Sequence, residues 1–157
     1  MDIKIKTDDK KVFNYCSRAI ICQDDKFLIM CVDDADYYHL PGGHVEVGET
    51  SADALIREIK EEIDIEVDLE KLVFVSEEFY HKKDIKHHSV ILYYLAKPRN
   101  KVSTENKIRM EQGQTKTIKN ELRWVTVDDL ASIDLRPAMI KDLLVKKDFE
   151  TLKHYMG

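Results

Sequence analysis

The stretch ETSADALIREIKEEIDI, residues 49–65, decides the reading of this chain. Thr50 followed by Asp53 is a capping-box-like start, with Asp in place of the usual Glu. Leu55, Ile59 and Ile63 recur every four residues, with Ala52 and Ile56 beside them. At about 100° per residue these five positions fill one arc of about 100°. The spacing therefore predicts a helix over 51–63 with that arc on the core. Glu58, Glu61 and Glu62 stand at i, i+3 and i+4 and fill the neighbouring arc. Like charges one turn apart each destabilise an isolated helix by roughly a few tenths of a kcal/mol. Arg57 and Lys60 point elsewhere on the wheel.

Two readings of that acidic arc follow. One is a solvated helix face. The other is a divalent cation that neutralises the three carboxylates. Mg²⁺ prefers oxygen ligands, keeps several waters, and is commonly held by a few carboxylates plus substrate phosphates. Just upstream lies Leu40-Pro41-Gly42-Gly43, and Glu49 stands at the helix entrance. A glycine pair lets the backbone approach a ligand closely, and its carbonyls can ligate a metal.

Working outward, the 157 residues suit one domain, taken as 1–157. Hydrophobic residues make up 43%, enough for a core and too many for a disordered chain. With 25 Lys and Arg against 30 Asp and Glu, the net charge is −5, which argues against holding duplex nucleic acid by charge. No apolar run approaches the roughly 18 residues of a membrane span. The start MDIKIKTDDKKV is too polar for a secretory signal. Cys16, Cys22 and Cys31 form no Cys-x-x-Cys pair and sit in apolar stretches, so reduced, buried thiols in a cytoplasmic protein are expected.

Residues 12–22 and 27–32 read as strands around a polar turn. Residues 72–80 and 89–96 read as a hairpin with a His- and Lys-rich tip. Residues 97–120 are polar and read as a long loop, 121–127 as a strand, and 128–133 and 137–147 as short helices. The tail from Asp148 reads as one or two helical turns. Strands interrupted by one central helix, with helices at the end, predict an α+β fold with a mixed sheet between helices.

The residues from Gly43 onward resemble the Nudix hydrolase family, the MutT-like nucleoside-diphosphate-X hydrolases. That family's signature is G-x5-E-x7-R-E-U-x-E-E-x-G-U, with U aliphatic. Here Gly43, Glu49, Arg57-Glu58-Ile59, Glu61-Glu62-Ile63 and Ile65 fill it over residues 43–65, with Asp64 in place of the late Gly. That position lies just past the helix end, where a left-handed residue is wanted. Asp tolerates this conformation better than most non-Gly residues.

The resemblance implies an α/β/α sandwich and metal-dependent hydrolysis of a pyrophosphate bond in a small nucleotide substrate. It implies Mg²⁺ or Mn²⁺ on Glu58, Glu61 and Glu62, with the Gly42 carbonyl as a further ligand. Arg57 and Glu49 would pair and orient the carboxylates. A further acid from a later loop often completes such sites. Glu121 is the first candidate and Glu111 its rival. Homodimers are common in the family. Arg18 and His44 are candidates to reach phosphates, and Tyr38 to stack a base. His81 stands where ADP-ribose specialists carry Pro, and no such branch mark selects a substrate. RNA 5′ ends would want a basic track, for which the sequence offers Lys82, Lys83 and Lys86. A nucleotide-sensing domain of the same fold is the competing reading; such domains usually lose a box glutamate, and all are kept here.

Overall fold

The computed structural model describes every residue except Asp8 and 113–116, and every side chain but those of these residues, Glu111 and Gln112. Strand β2 (Lys11–Gln23) sorts its side chains between two cores. Ala19 and Ile21 point to one face of the sheet and Ile20 to the other, the alternation that a pleated strand imposes. β3 (Lys26–Val32) does the same, with Leu28 and Met30 on the first face and Phe27 and Ile29 on the second. Asp24 and Asp25, both with positive φ, make the tight turn between them.

The remaining strands are β1 (Lys4–Lys6), β4 (Val67–Lys82), β5 (Ile85–Pro98), β6 (Lys107–Gln112), β7 (Thr117–Val125) and β8 (Lys153–Met156). The sheet runs β6-β7-β3-β2-β5-β4-β8, with β1 beside β2. β2 pairs with β5 and β4 with β8 in parallel, and the other pairs are antiparallel. The expected mixed sheet between helices is therefore present.

Helix α1 (Ser51–Ile63) covers the first face. Its Leu55, Ile59 and Ile63 pack on Ala19, Ile21, Leu122 and Trp124. Helices α2 (Val127–Leu130) and α3 (Ala138–Lys146) cover the second, where Leu130, Ile140 and Leu144 meet Ile20, Phe27 and Tyr93. Each fully buried Leu or Ile contributes roughly 1.5–3 kcal/mol. No helix among the described residues is long and apolar enough to cross a membrane. Cys16 and Cys31 are buried, Cys22 is half-buried, and all three are free thiols.

Three expectations need correction. The buried arc of α1 is Ala54, Leu55, Ile59 and Ile63; Ala52 is only half-buried and Ile56 is 40% exposed. The helix is rotated so that its glutamate side, rather than Ile56, turns toward the sheet edge. Residues 97–120, expected as a loop, hold β6 and the first four residues of β7. The tail forms edge strand β8 instead of a helix.

β2 and β3 pair only at Cys22↔Phe27 and Gln23↔Lys26 and then diverge. Residues 38–45 fill the split. His39 exchanges backbone hydrogen bonds of 2.8 and 2.9 Å with Met30 of β3. The N–H groups of Ala19 and Ser17 donate to the Pro41 and Gly43 carbonyls at 2.9 Å each, and Val45 donates to Tyr15 at 3.0 Å. Leu40-Pro41-Gly42-Gly43 is thereby pinned between two strands, beside α1.

Candidate functional site

Residues 41, 43 and 45 turn one edge of this loop toward β2, so the peptide groups of Gly42 and His44 face the other way. Three side chains meet them. The Gly42 N–H donates to Glu62 Oε2 at 3.0 Å. The Gly42 carbonyl accepts from Arg18 Nη1. The His44 carbonyl accepts from Arg57 Nη2 at 3.2 Å.

The glycine pair is required for two separate reasons. Gly42 has φ +125°, a conformation that side chains rarely adopt, and a Cβ there would collide with the Ser17 carbonyl. A Cβ on Gly43 would stand 2.5 Å from the Glu58 carboxylate carbon. The backbone thus lies directly against a glutamate of α1.

Arg57 is the hub on the helix. It donates to Glu49 through Nη2 (2.7 Å) and Nε (3.3 Å), to Glu58 (2.9 Å) and to Glu61 (3.2 Å). The expected Arg57–Glu49 pair is present. The expectation that Arg57 points away from the acidic arc is not met, because its long side chain reaches both i+1 and i+4. Glu49 also accepts the Glu46 N–H at 2.7 Å, which closes the turn into the helix. Thr50 caps α1 by accepting the Asp53 N–H at 3.1 Å. At the other end Asp64 adopts φ 55°, ψ 39°, the left-handed conformation expected of it.

The carboxylates differ in burial. Glu58 has a side chain only 15% exposed, against 52% for Glu61. Burial pushes the Glu58 carboxyl above its ordinary range, with the Glu61 charge adding to the shift and Arg57 opposing it. Arg57 holds Glu49 below its ordinary range.

Among the described residues no three His, Cys, Asp or Glu side chains are grouped to hold a metal ion. Glu58 and Glu61 rest on Arg57, and Glu62 rests on the Gly42 N–H. The chemistry of the set nevertheless fits a hard divalent cation: three carboxylates within five residues of one helix, pressed by a backbone without side chains. The Gly42 carbonyl, expected as a further ligand, is occupied by Arg18.

Arg18 projects from the sheet face opposite α1, alternating with Ala19, and reaches round to the loop. Its Nη1 also donates to the Leu40 carbonyl at 3.0 Å and lies 3.2 Å from His39 Nδ1. Burial and the Arg18 charge hold His39 neutral, with a pKa of about 3. His39 was not singled out in the sequence; nothing there separates it from the other five histidines. His44 turns to Asn14 Oδ1, 3.3 Å away. Tyr38 donates to Glu121 at 3.0 Å, with the Arg123 guanidinium 5.9 Å above its ring.

Glu121 stands opposite Cys31 of β3. Leu122 and Trp124 pack under α1, so the alternation of β7 turns Glu121 to the opposite face. Glu111 lies in β6, and its side chain is outside the described residues.

Residues 16–144 match the family model described as NUDIX domain. A dihydroneopterin triphosphate diphosphatase of Escherichia coli is 41% identical over 59 residues, which span 36% of this chain and 39% of that protein. Among solved structures, a NUDIX hydrolase from Nitrosomonas europaea superposes with a TM-score of 0.63 at 18% identity, covering 92% of this chain and 78% of the other. An ADP-ribose pyrophosphatase from Streptococcus suis gives 0.61 at 19% identity, covering 92% and 98%. These structural likenesses show the fold.

Proposed function

This chain belongs to the NUDIX domain family, and from that premise we propose that it hydrolyses a pyrophosphate bond in a nucleoside diphosphate linked to a further group. The observation that carries the reading is the complete acidic set of α1 lying against the Gly42–Gly43 backbone. The Escherichia coli relative, named for a pterin triphosphate, supports a substrate with consecutive phosphates.

Glu58, Glu61 and Glu62 would hold Mg²⁺ or Mn²⁺, which when bound neutralises phosphate oxygens and lowers the pKa of a coordinated water. The protein's own residues supply order. Arg57 and Glu49 fix the rotamers of Glu58 and Glu61, so the carboxylates need little reorganisation. Arg18 locks the Gly42 peptide, and the neutral His39 beside it adds no second positive charge of its own. A box carboxylate takes the proton of the attacking water. The products are a nucleoside monophosphate and the phosphorylated remainder. Glu121, held by Tyr38 on the other face, is given no part in proton transfer.

The test is a panel of nucleoside triphosphates, nucleotide-sugars, ADP-ribose and dihydroneopterin triphosphate, incubated with Mg²⁺ or Mn²⁺ in ¹⁸O-water. Cleavage of the anhydride is expected, with label in a phosphate-bearing product. Calorimetry that detects metal uptake, together with no turnover of any compound, would instead favour a nucleotide sensor.

A further inference from the structure

Arg18 is a fixed cation inserted beside the loop that α1 faces. It stands opposite Tyr93 of β5, and paired residues project to the same side of a sheet, here the side that α3 covers. The side chain is half-buried. Its Nη1 donates to the Leu40 carbonyl at 3.0 Å and to the Gly42 carbonyl, and lies 3.2 Å from His39 Nδ1. These three partners are uncharged, since burial and the Arg18 charge itself keep His39 neutral. A guanidinium satisfied only by neutral acceptors keeps its affinity for an anion, because hydrogen bonds to a charged acceptor are roughly twice as strong.

The Gly42 oxygen therefore has two claimants. The hydrolase reading gives it to a divalent cation, and in this structure Arg18 holds it. The N–H of the same residue is held by Glu62 at 3.0 Å, so Gly42 is strung between an α1 carboxylate and the guanidinium. A carbonyl oxygen has two lone pairs. A guanidinium and a divalent ion on one oxygen would nevertheless repel each other at close range. Burial raises the Glu58 carboxyl pKa, and the Arg18 charge is among those that oppose the rise. The guanidinium thus stands within electrostatic reach of the carboxylate that Gly43 abuts.

We propose that Arg18 is a positioning residue with two successive partners: it holds the Gly42 carbonyl until a substrate phosphate takes the guanidinium, and so releases that oxygen to the cation. This order of events rests on the hydrolase reading above. Cation and diphosphate then enter as a coupled pair, each favouring the other to the same extent. A divalent ion arriving alone meets the carboxylates but not the carbonyl.

Gly42-Gly43 is the one Gly–Gly step in the chain. In protein made with 1-¹³C,¹⁵N-glycine, an HNCO spectrum therefore contains a single peak, whose carbon is the Gly42 carbonyl. In wild type, saturating Mg²⁺ alone should leave that carbon in place. Mg²⁺ with methylenediphosphonate, a base-free pyrophosphate mimic with no hydrolysable bridge, should move it. This first comparison needs no variant. In Arg18→Met, Mg²⁺ alone should move the carbon. By calorimetry that variant should bind Mn²⁺ alone at least about fivefold tighter than wild type, and methylenediphosphonate at least about fivefold more weakly, the low end of measured couplings. Arg18→Lys keeps the charge without the planar fork and should fall between the two proteins in both affinities. The proposal is overturned if Mg²⁺ alone moves the wild-type carbon as it does in Arg18→Met, if the diphosphonate does not move it, or if Arg18→Met binds Mn²⁺ no tighter than wild type. Metal uptake with the Gly42 carbon unmoved in every protein removes this proposal and leaves the hydrolase reading standing. No metal uptake by any of them, with or without the diphosphonate, removes both.

Discussion

α1 and α3 cover opposite faces of one sheet with much the same apolar tool. α1 buries Ala54, Leu55, Ile59 and Ile63; α3 buries Ile140, Leu143 and Leu144. They differ in what happens beside that stripe. α3 starts at Pro137 with no side-chain cap, and its Lys141 and Lys146 have no acid partner among the described residues. α1 is capped at both ends, and its glutamates are held by Arg57, by the Gly42 N–H and by burial. A helix that only covers a core can leave its charges to water. One that crowds three like charges beside its core must have each of them restrained from outside the stripe, and that expense points to chemistry rather than to stability.

Glu62→Gln is the strongest way to break this contrast. The amide oxygen can still accept from Gly42, so the loop keeps its anchor while one negative charge is lost. Turnover should fall at least about 100-fold, the scale of a lost charge-stabilising group. The melting temperature in chelator should hold or rise, because a like-charge repulsion has been removed. Steady-state kinetics and thermal unfolding on the same sample decide it. A twofold change in turnover with a large loss of stability would make α1 another covering helix.

Leu144→Ala tests the other side. Leu144 is fully buried between α3 and the sheet. Truncation should cost about 2–5 kcal/mol in denaturant unfolding. Turnover per folded molecule should stay within about twofold of wild type, since α3 touches no residue of the acidic site. A collapse of turnover in fully folded protein would show that the two faces are coupled through the sheet.

The same contrast explains what could be read in advance. α1 was legible because the helical period and the acidic register coincide in one uninterrupted stretch. Its rotation was not, since Ala52 and Ala54 both border the leucine stripe and only packing selects between them. β6 escaped because its apolar side chains face water: Ile108 and Met110 are each 62% exposed, so alternation there reports no core. β8 is a four-residue edge strand that takes its register from β4, too short to show a period. Trp124 packs under α1, and parity puts Glu121 on the opposite face, but with helices on both faces parity does not say which face holds the site.

The smallest effect is expected at Asp64, where the sequence departs from the family pattern. Its N–H donates to the Lys60 carbonyl at 3.1 Å and closes α1 in a left-handed turn. Its carboxylate meets Lys60 Nζ at 2.8 Å and Arg109 Nη1 at 3.6 Å. Asp64→Gly removes a β-carbon that the left-handed conformation disfavours and also removes an exposed ion pair. Exposed pairs contribute little, so the backbone gain should prevail. The melting temperature should rise slightly, and more clearly in high salt, where the lost pair is already screened. Turnover should be unchanged, because the carboxylate points away from Gly42 and Arg57. A tenfold or greater fall in turnover, about 1.4 kcal/mol of lost transition-state binding, would instead mean that the end of α1 sets the geometry of Glu61 and Glu62. Glycine and aspartate would then not be interchangeable at that turn.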